Sequence, residues 1–279
     1  MQPEQGDKRV IVRRQDVAAA ARSVGIEPGD TVMFHSSLSS MGTVEGGPNT
    51  VIDGFLDAVS PGGTVAAPTL CRYEADEQET ALERWDPKTT PSYLGALPEA
   101  MRKRPDAIRS DHFTHSVAAV GARAAELTAN HGAGGLRPSP WNSKAFCEES
   151  PWGRFRQWNA AYCFIGVSFQ VNTMVHYVES MIVERALQRA RPEARARLAA
   201  KVIDWRKPGV WPRMEIEDRS LIEEALAREG IVRYGKIGSA TLRCARAKPM
   251  VERWVAMLEA EPAKWFPPDF MAWLEEARS

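Results

Sequence analysis

No stretch of this sequence is apolar enough for long enough to cross a bilayer. The longest apolar run, AAYCFIGV (160–167), falls far short of the roughly 20 residues a membrane-spanning helix needs. The N-terminal MQPEQGDKRV is polar and lacks the apolar core of a signal peptide, so a cytoplasmic protein is expected. Net charge is missing too. The 36 Lys and Arg residues balance 36 Asp and Glu residues, which argues against a nucleic-acid binder. The most basic stretch, ERALQRARPEARARLAAK, is interrupted by Pro192 and reads as a pair of solvated helices rather than a nucleic-acid face. The 4 cysteines, Cys71, Cys147, Cys163 and Cys244, lie far apart and form no C-x-x-C. Neither a zinc ribbon nor a disulfide framework follows, and reduced thiols are expected.

Several catalytic signatures are absent or incomplete. There is no dinucleotide fingerprint and no H-E-x-x-H. GIVRYGK (230–236) follows most of a P-loop pattern, but Ile237 stands where the magnesium-binding hydroxyl belongs, and a helical pattern precedes it where a strand should be. GVSFQ around Ser168 lacks the second glycine of a nucleophile elbow.

What is present begins as helix, strand, loop, helix, strand. RRQDVAAAARSVGI has Asp16 near its start, apolar residues at helical spacing and Gly25 as a stop. TVMF reads as a strand, PNTVIDGFLDAV as a helix with Pro48 in its first turn, and TVAAPTL as a second strand. Such alternation predicts a parallel pair with a right-handed crossover. Further on, LGALPEAMRKR reads as a helix, HSVAAVG as a strand, ARAAELTANHG as a helix ending at Gly132 and AAYCFIGV as a buried strand. A long helix then runs from NTMVHYVES to about Arg189. The last eighty or so residues read as two helices, SLIEEALAREG and PMVERWVAMLEAE, with the hairpin IVRYGKIGSATLRCARA between them. One α/β domain over 1–279, with an irregular helical part from about residue 190, fits this order.

Open α/β sheets bind ligands beyond the carboxyl ends of their strands. At one such end lies HSSLSSMGTVEGGPNT, where Ser36 and Ser37 offer hydroxyls. Gly46 and Gly47 precede a helix whose first N–H groups suit an anion or a carbonyl oxygen, although an ordinary polar loop has the same look. In NTMVHYVES, Asn172 is the candidate N-cap, His176 falls in the first turn, and Glu179 lies three residues on, on the same face. The partial positive charge of the helix N-terminus favours a neutral imidazole. Glu179 would hold one ring nitrogen as a donor and leave the other as a base. A structural His–Glu pair has the same spacing. His112 and His115 stand at H-x-x-H spacing and, with Glu179, offer an alternative metal-dependent hydrolase site.

Taken together, VMFHSSLSSMGTVEGG, GGTVAAPTL, WDPKTTPSYLGALPEAMRKRPDAIRSDHFTHSVAAVG, SPWGRF, FIGV and NTMVHYVE resemble the aminoglycoside 3-N-acetyltransferase family in order and spacing. A weaker likeness continues through GKIGSATLRCARA. The resemblance implies a three-layer α/β/α fold with a central mixed, largely parallel sheet. It implies acetyl transfer from acetyl-CoA, with no metal, to an amine, classically one on the deoxystreptamine ring. Transfer to a non-antibiotic amine is the nearest alternative. Residue by residue, it implies His176 as base and Glu179 as its orienter. It also implies His35, Ser36 and Ser37 along the acetyl and pantetheine pocket, with Thr69, Ser116 and Val117 close by. The helix start after Gly46 and Gly47 would help hold the polar cofactor. Glu74, Asp76, Glu77 and Glu79 follow the end of TVAAPTL, and an acidic rim there would gather a polycationic acceptor. Where the family usually reads His-Pro-Thr, this chain has His112-Phe113-Thr114.

Overall fold

The computed structural model describes residues 2–71, 83–131, 145–205 and 219–279, with 203–205 by backbone alone. The chain enters through β1 (Ile11–Val12) and α1 (Arg14–Ser23). The Asp16 carboxylate accepts the Arg13 N–H at 2.8 Å, closing the first turn of α1. β2 (Thr31–Ser36) follows, then β3 (Thr43–Val44), α2 (Pro48–Val59) and β4 (Thr64–Pro68). β2 and β4 pair in parallel, Thr31 beside Thr64, as the alternating pattern predicts. α3 (Ala96–Lys103), β5 (Ile108–Arg109), β6 (Val117–Gly121) and α4 (Ala124–Thr128) come next. β6 begins two residues later than expected, because His112 to His115 form a turn. The expected helix to Gly132 ends early at Thr128, and Asn130 then takes a left-handed conformation with φ 59°.

α5 (Pro151–Gln157), β7 (Ala161–Ile165) and α6 (Met174–Arg189) lead into α7 (Pro192–Trp205) and α8 (Ser220–Arg228). The hairpin β8 (Val232–Ile237) and β9 (Ala240–Arg246), then α9 (Ala247–Ala260) and α10 (Pro268–Arg278), complete the chain. The main sheet has the order β5-β6-β4-β2-β7-β9-β8. It is mixed, with parallel pairing confined to its centre: β2 runs parallel to β4 and β7, and the outer pairings are antiparallel. That is less parallel than the family likeness implies, and the connections explain it. Gly238 and Ser239 alone join β8 to β9, and so short a link cannot make a parallel crossover.

Strand alternation divides the core between two helical layers. Val32, Phe34, Val65 and Cys163 face α1, α2 and α3, whereas Met33, Ala66, Tyr162 and Phe164 face α4 to α6 and the C-terminal helices. The result is the expected three-layer α/β/α arrangement. The tail is part of the second layer. Trp254, Trp265 and Trp273 are fully buried, and Trp273 donates Nε1–H to the Leu198 carbonyl at 3.2 Å. α9 and α10 pack on α6 and so brace the helix that carries His176. α7 also buries one face, through Leu198 and Val202, and is not simply solvated. All four cysteines are free thiols.

Candidate functional site

β2 and β7 end side by side, His35 opposite Phe164 and Ser36 opposite Ile165. The α6 N-terminus lies across from them. Asn172 is buried, and its side-chain oxygen accepts the Met174 N–H at 2.9 Å. The capping expected of Asn172 is therefore made, but α6 begins at Met174, and Thr173 holds the cap position in helical geometry. His176 falls in the first turn. Its Nδ1 lies 3.2 Å from Glu179 Oε2, and the Glu179 side chain is only 5% exposed against 19% for His176. A carboxylate can only accept, so Nδ1 carries the hydrogen, and in the neutral ring Nε2 holds the lone pair.

A chamber of about 290 Å³ lies before this pair. His35, His115, Arg219, Tyr93, Leu94 and Val171 are among its walls. His115 meets the His176 ring edge-on, centroids 5.5 Å apart, and Phe146 packs against both rings. Burial pushes His35 down to about 3, helped by the positive charge of Arg219. Burial likewise pushes His115 well below its ordinary value, with His176 and His131 adding to it. Both rings are thus neutral near pH 7. His35 Nε2 lies 3.0 Å from the Tyr162 hydroxyl, and its ring stacks on Phe164.

A larger cleft of about 770 Å³ lies on the other side of the β2 end. Ser36, Ser37, Thr43, Val44, Gly95 and Lys8 are on its walls. Tyr93, Leu94 and Val171 line both cavities and form the wall they share. Tyr93 and Val171 are 54% and 37% exposed there, apolar surface left open at the junction.

The remaining expected site residues fall elsewhere. Thr69, Ser116 and Val117 are fully buried and line neither cavity. Thr69 and Ser116 hydroxyls lie 3.0 Å apart, and Arg109 Nε donates to both, at 3.1 and 3.0 Å. The same guanidinium reaches the Thr69 and Thr90 carbonyls at 2.6 and 2.5 Å and lies over the Trp85 ring. These hydroxyls accept from a half-buried arginine that staples the loop leading to Tyr93. Gly46 and Gly47 follow the cleft wall but line neither cavity. Gly47 caps α2 with φ 74°, and a side chain there would meet open space. Its positive φ suits glycine at this cap. Glu74, Asp76, Glu77 and Glu79 lie outside the described residues.

His112, His115 and Glu179 do not form the metal site weighed from sequence. His112 Nδ1 accepts the His115 N–H at 3.0 Å, which uses a lone pair that a metal would need. His112 stacks on His131, whose Nδ1 and Nε2 are held by the Ser110 hydroxyl and the Ala145 carbonyl at 2.8 and 2.9 Å. Among the described residues no group of three His, Cys, Asp or Glu side chains is placed to hold a metal ion. Sequence reasoning missed Tyr93, Val171 and the place of His115 beside His176. Only their position after strand ends and at a helix start could have suggested them.

A family model described as Aminoglycoside 3-N-acetyltransferase matches residues 33–259. Aminoglycoside N(3)-acetyltransferase VII of Streptomyces paromomycinus is 28% identical over 288 residues, covering 89% of this chain and 92% of that protein. Aminoglycoside N(3)-acetyltransferase III of a Salmonella species is 33% identical over 181 residues, 60% of each chain. The crystal structure of aminoglycoside acetyltransferase AAC(3)-Xa is similar, with TM-score 0.66 and 28% identity over 89% of this chain and 93% of that one. AAC-IIIb, solved as a binary complex with CoASH, shares the fold, with TM-score 0.68 at 22% identity over 90% of this chain and 97% of that one.

Proposed function

The chain belongs to the aminoglycoside 3-N-acetyltransferase family, and we propose that it carries the acetyl group of acetyl-CoA to the 3-amino group of a deoxystreptamine aminoglycoside. One observation carries the reading: His176, paired with Glu179, lines a small chamber that shares Tyr93, Leu94 and Val171 with a larger cleft lined by hydroxyls and apolar groups. The cleft suits the pantetheine arm, with Ser36 and Ser37 along its wall. The thioester end would reach His176 past Tyr93, Leu94 and Val171.

In the chamber the acceptor nitrogen attacks the thioester carbonyl. The C–N bond forms, and His176 Nε2 takes the proton that the nitrogen must lose. The C–S bond then breaks, and the thiolate leaves as coenzyme A, taking up a proton from the His176 imidazolium. Glu179 orients the ring and stabilises its charge. His35 and His115 stay neutral and so do not oppose that charge. Holding both reactants in one small chamber supplies much of the acceleration, so no protein nucleophile is required. The acidic residues Glu74, Asp76, Glu77 and Glu79 begin four residues after Leu70, which lines the chamber. They supply the charge that a polyammonium acceptor would seek.

The test is free-thiol release from acetyl-CoA with a panel of aminoglycosides and simple amines. Release with deoxystreptamine aminoglycosides, and a product acetylated at N-3, is the expected result. Release only with neutral monoamines would keep the transfer chemistry and discard the aminoglycoside acceptor.

A further inference from the structure

Resting on the coenzyme A reading above, we propose that Lys8 binds the phosphate end of the donor, presented by an N-terminal strap that forms one wall of the cleft. Residues 2–10 precede the stretch matched by the family model, which begins at residue 33. They are nevertheless fixed in place. The Glu4 N–H donates to the Gly166 carbonyl at 2.9 Å. The Glu4 carboxylate accepts the Thr241 N–H at 2.8 Å and Arg243 Nη1 at 3.0 Å, so β9 holds the start of the strap. The Asp7 N–H donates to Ser239 Oγ at 3.1 Å in the β8–β9 turn. Nearer the cleft, the Thr43 hydroxyl donates to the Lys8 carbonyl at 2.8 Å, and the Thr43 N–H to the Val10 carbonyl at 2.9 Å. Gly42, at φ 105°, leaves room for this approach, since a Cβ there would stand 2.5 Å from the Val10 oxygen and 2.8 Å from that of Asp7.

The strap reads Asp7-Lys8-Arg9, three charges in a row. Arg9 folds back on Asp7, with Nη2 to Oδ2 at 2.7 Å and Nε to Oδ1 at 3.0 Å, and those two cancel. Lys8 remains. It is exposed and, among the described residues, has no ion-pair partner and is the only charged side chain on the cleft wall. The rest of that wall is serine, threonine, glycine and apolar residues. Such a lining accommodates the neutral amides of pantetheine but offers nothing else to the charges that follow them. Coenzyme A ends in a pyrophosphate and a ribose phosphate, and an ammonium group is the simplest counterpart to them. Across the cleft, Gly95 and Ala96 begin α3, which turns the positive end of that helix to the same space. A polyanion in the cleft thus meets Lys8 on one wall and a helix start on the other.

Calorimetry on wild type, Lys8→Met and Lys8→Glu tests this, with coenzyme A and with pantetheine, which lacks the phosphates. Among the described residues the Lys8 side chain makes no hydrogen bond or ion pair, so both variants should fold, and a melting curve checks it. For coenzyme A, Lys8→Met should weaken binding about threefold to tenfold. Lys8→Glu should weaken it further, and the salt dependence should be shallower in both. Pantetheine should bind all three proteins alike. Equal coenzyme A affinity in the three proteins, or an equal loss for pantetheine, would overturn the Lys8 assignment and leave the donor reading standing. Absence of coenzyme A binding to the wild type would overturn both.

Discussion

The two cavities that meet at Tyr93, Leu94 and Val171 are built on different physical terms. The chamber is small, and its imidazoles are buried or nearly so: His35 and His115 are forced neutral beside the Arg219 guanidinium on the same wall, and His176 is tied to a buried carboxylate. The cleft is more than twice as large, lined by hydroxyls and apolar groups, and carries one cation. In a low-dielectric space a proton acceptor and its partner act strongly on each other, and stray charge is costly. In an open cleft, polar contacts each contribute little and act by number. The contrast separates bond-making from cofactor capture within one strand end, with His35 turned to the chamber and Ser36 and Ser37 to the cleft.

The sharpest way to break that contrast is to remove the chamber's base. His176→Ala should lower kcat by about two to four orders of magnitude, the usual worth of a general base, with coenzyme A affinity unchanged by calorimetry. Activity within tenfold of wild type would remove His176 from the chemistry.

The next effect concerns stability and belongs to the buried histidines in and beside the chamber. His35 is held down to about 3, His131 to about 4, and His115 well below its ordinary value, in each case chiefly by burial. An unfolded histidine titrates near 6.5. Between that value and the folded one, the unfolded chain binds more protons, so stability is full above pH 6.5 and falls as pH drops below it. At pH 5.5 His35 and His131 should each cost about 1.4 kcal/mol, about 3 kcal/mol together, and His115 should add to the loss in the same direction. Urea unfolding at pH 7.5 and 5.5 measures it. A midpoint that does not fall would contradict neutral burial of these rings.

A smaller loss is expected from Glu179→Gln, because the amide can still orient His176 but cannot stabilise its charge. Its kcat should lie between wild type and His176→Ala, with the donor KM unchanged. Steady-state kinetics giving a loss as large as that of His176→Ala would make Glu179 more than an orienter. On the cleft side, Ser37→Ala should change least. It removes one neutral hydrogen-bonding group, worth on the order of 1 kcal/mol, so coenzyme A should bind severalfold more weakly by calorimetry while kcat at saturating donor holds.

Much of this division was legible in the sequence because it rests on local order. The β2–β4 parallel pair, the Asn172-to-Glu179 helix start and the β8–β9 hairpin are each set by a few neighbouring residues. The roles that were not legible depend on partners distant in the chain. Thr69 and Ser116 read as pocket hydroxyls, yet Arg109 claims them from positions 40 and 7 residues away. His112 and His115 read as a metal pair, yet a backbone N–H occupies the first ring. Gly47 read as preceding a helix start that would help hold the cofactor, and it is the cap of α2. The buried tryptophans of the tail had no visible partner until α9 and α10 were seen against α6. The outer antiparallel strands were hidden for the same reason, since a hairpin's own sequence does not say which edge it joins.

The central claim, that the chamber makes the bond and the cleft holds the donor, is tested most directly by a double-mutant comparison. Wild type, His176→Ala, Ser37→Ala and the double variant would be measured for coenzyme A affinity and for the single-turnover rate of acetyl transfer at saturating acetyl-CoA. The account predicts that position 37 alone sets the affinity, that position 176 alone sets the rate, and that the two effects add within about 0.5 kcal/mol. A loss of affinity in His176→Ala, or a loss of rate in Ser37→Ala as large as its loss of affinity, would contradict it.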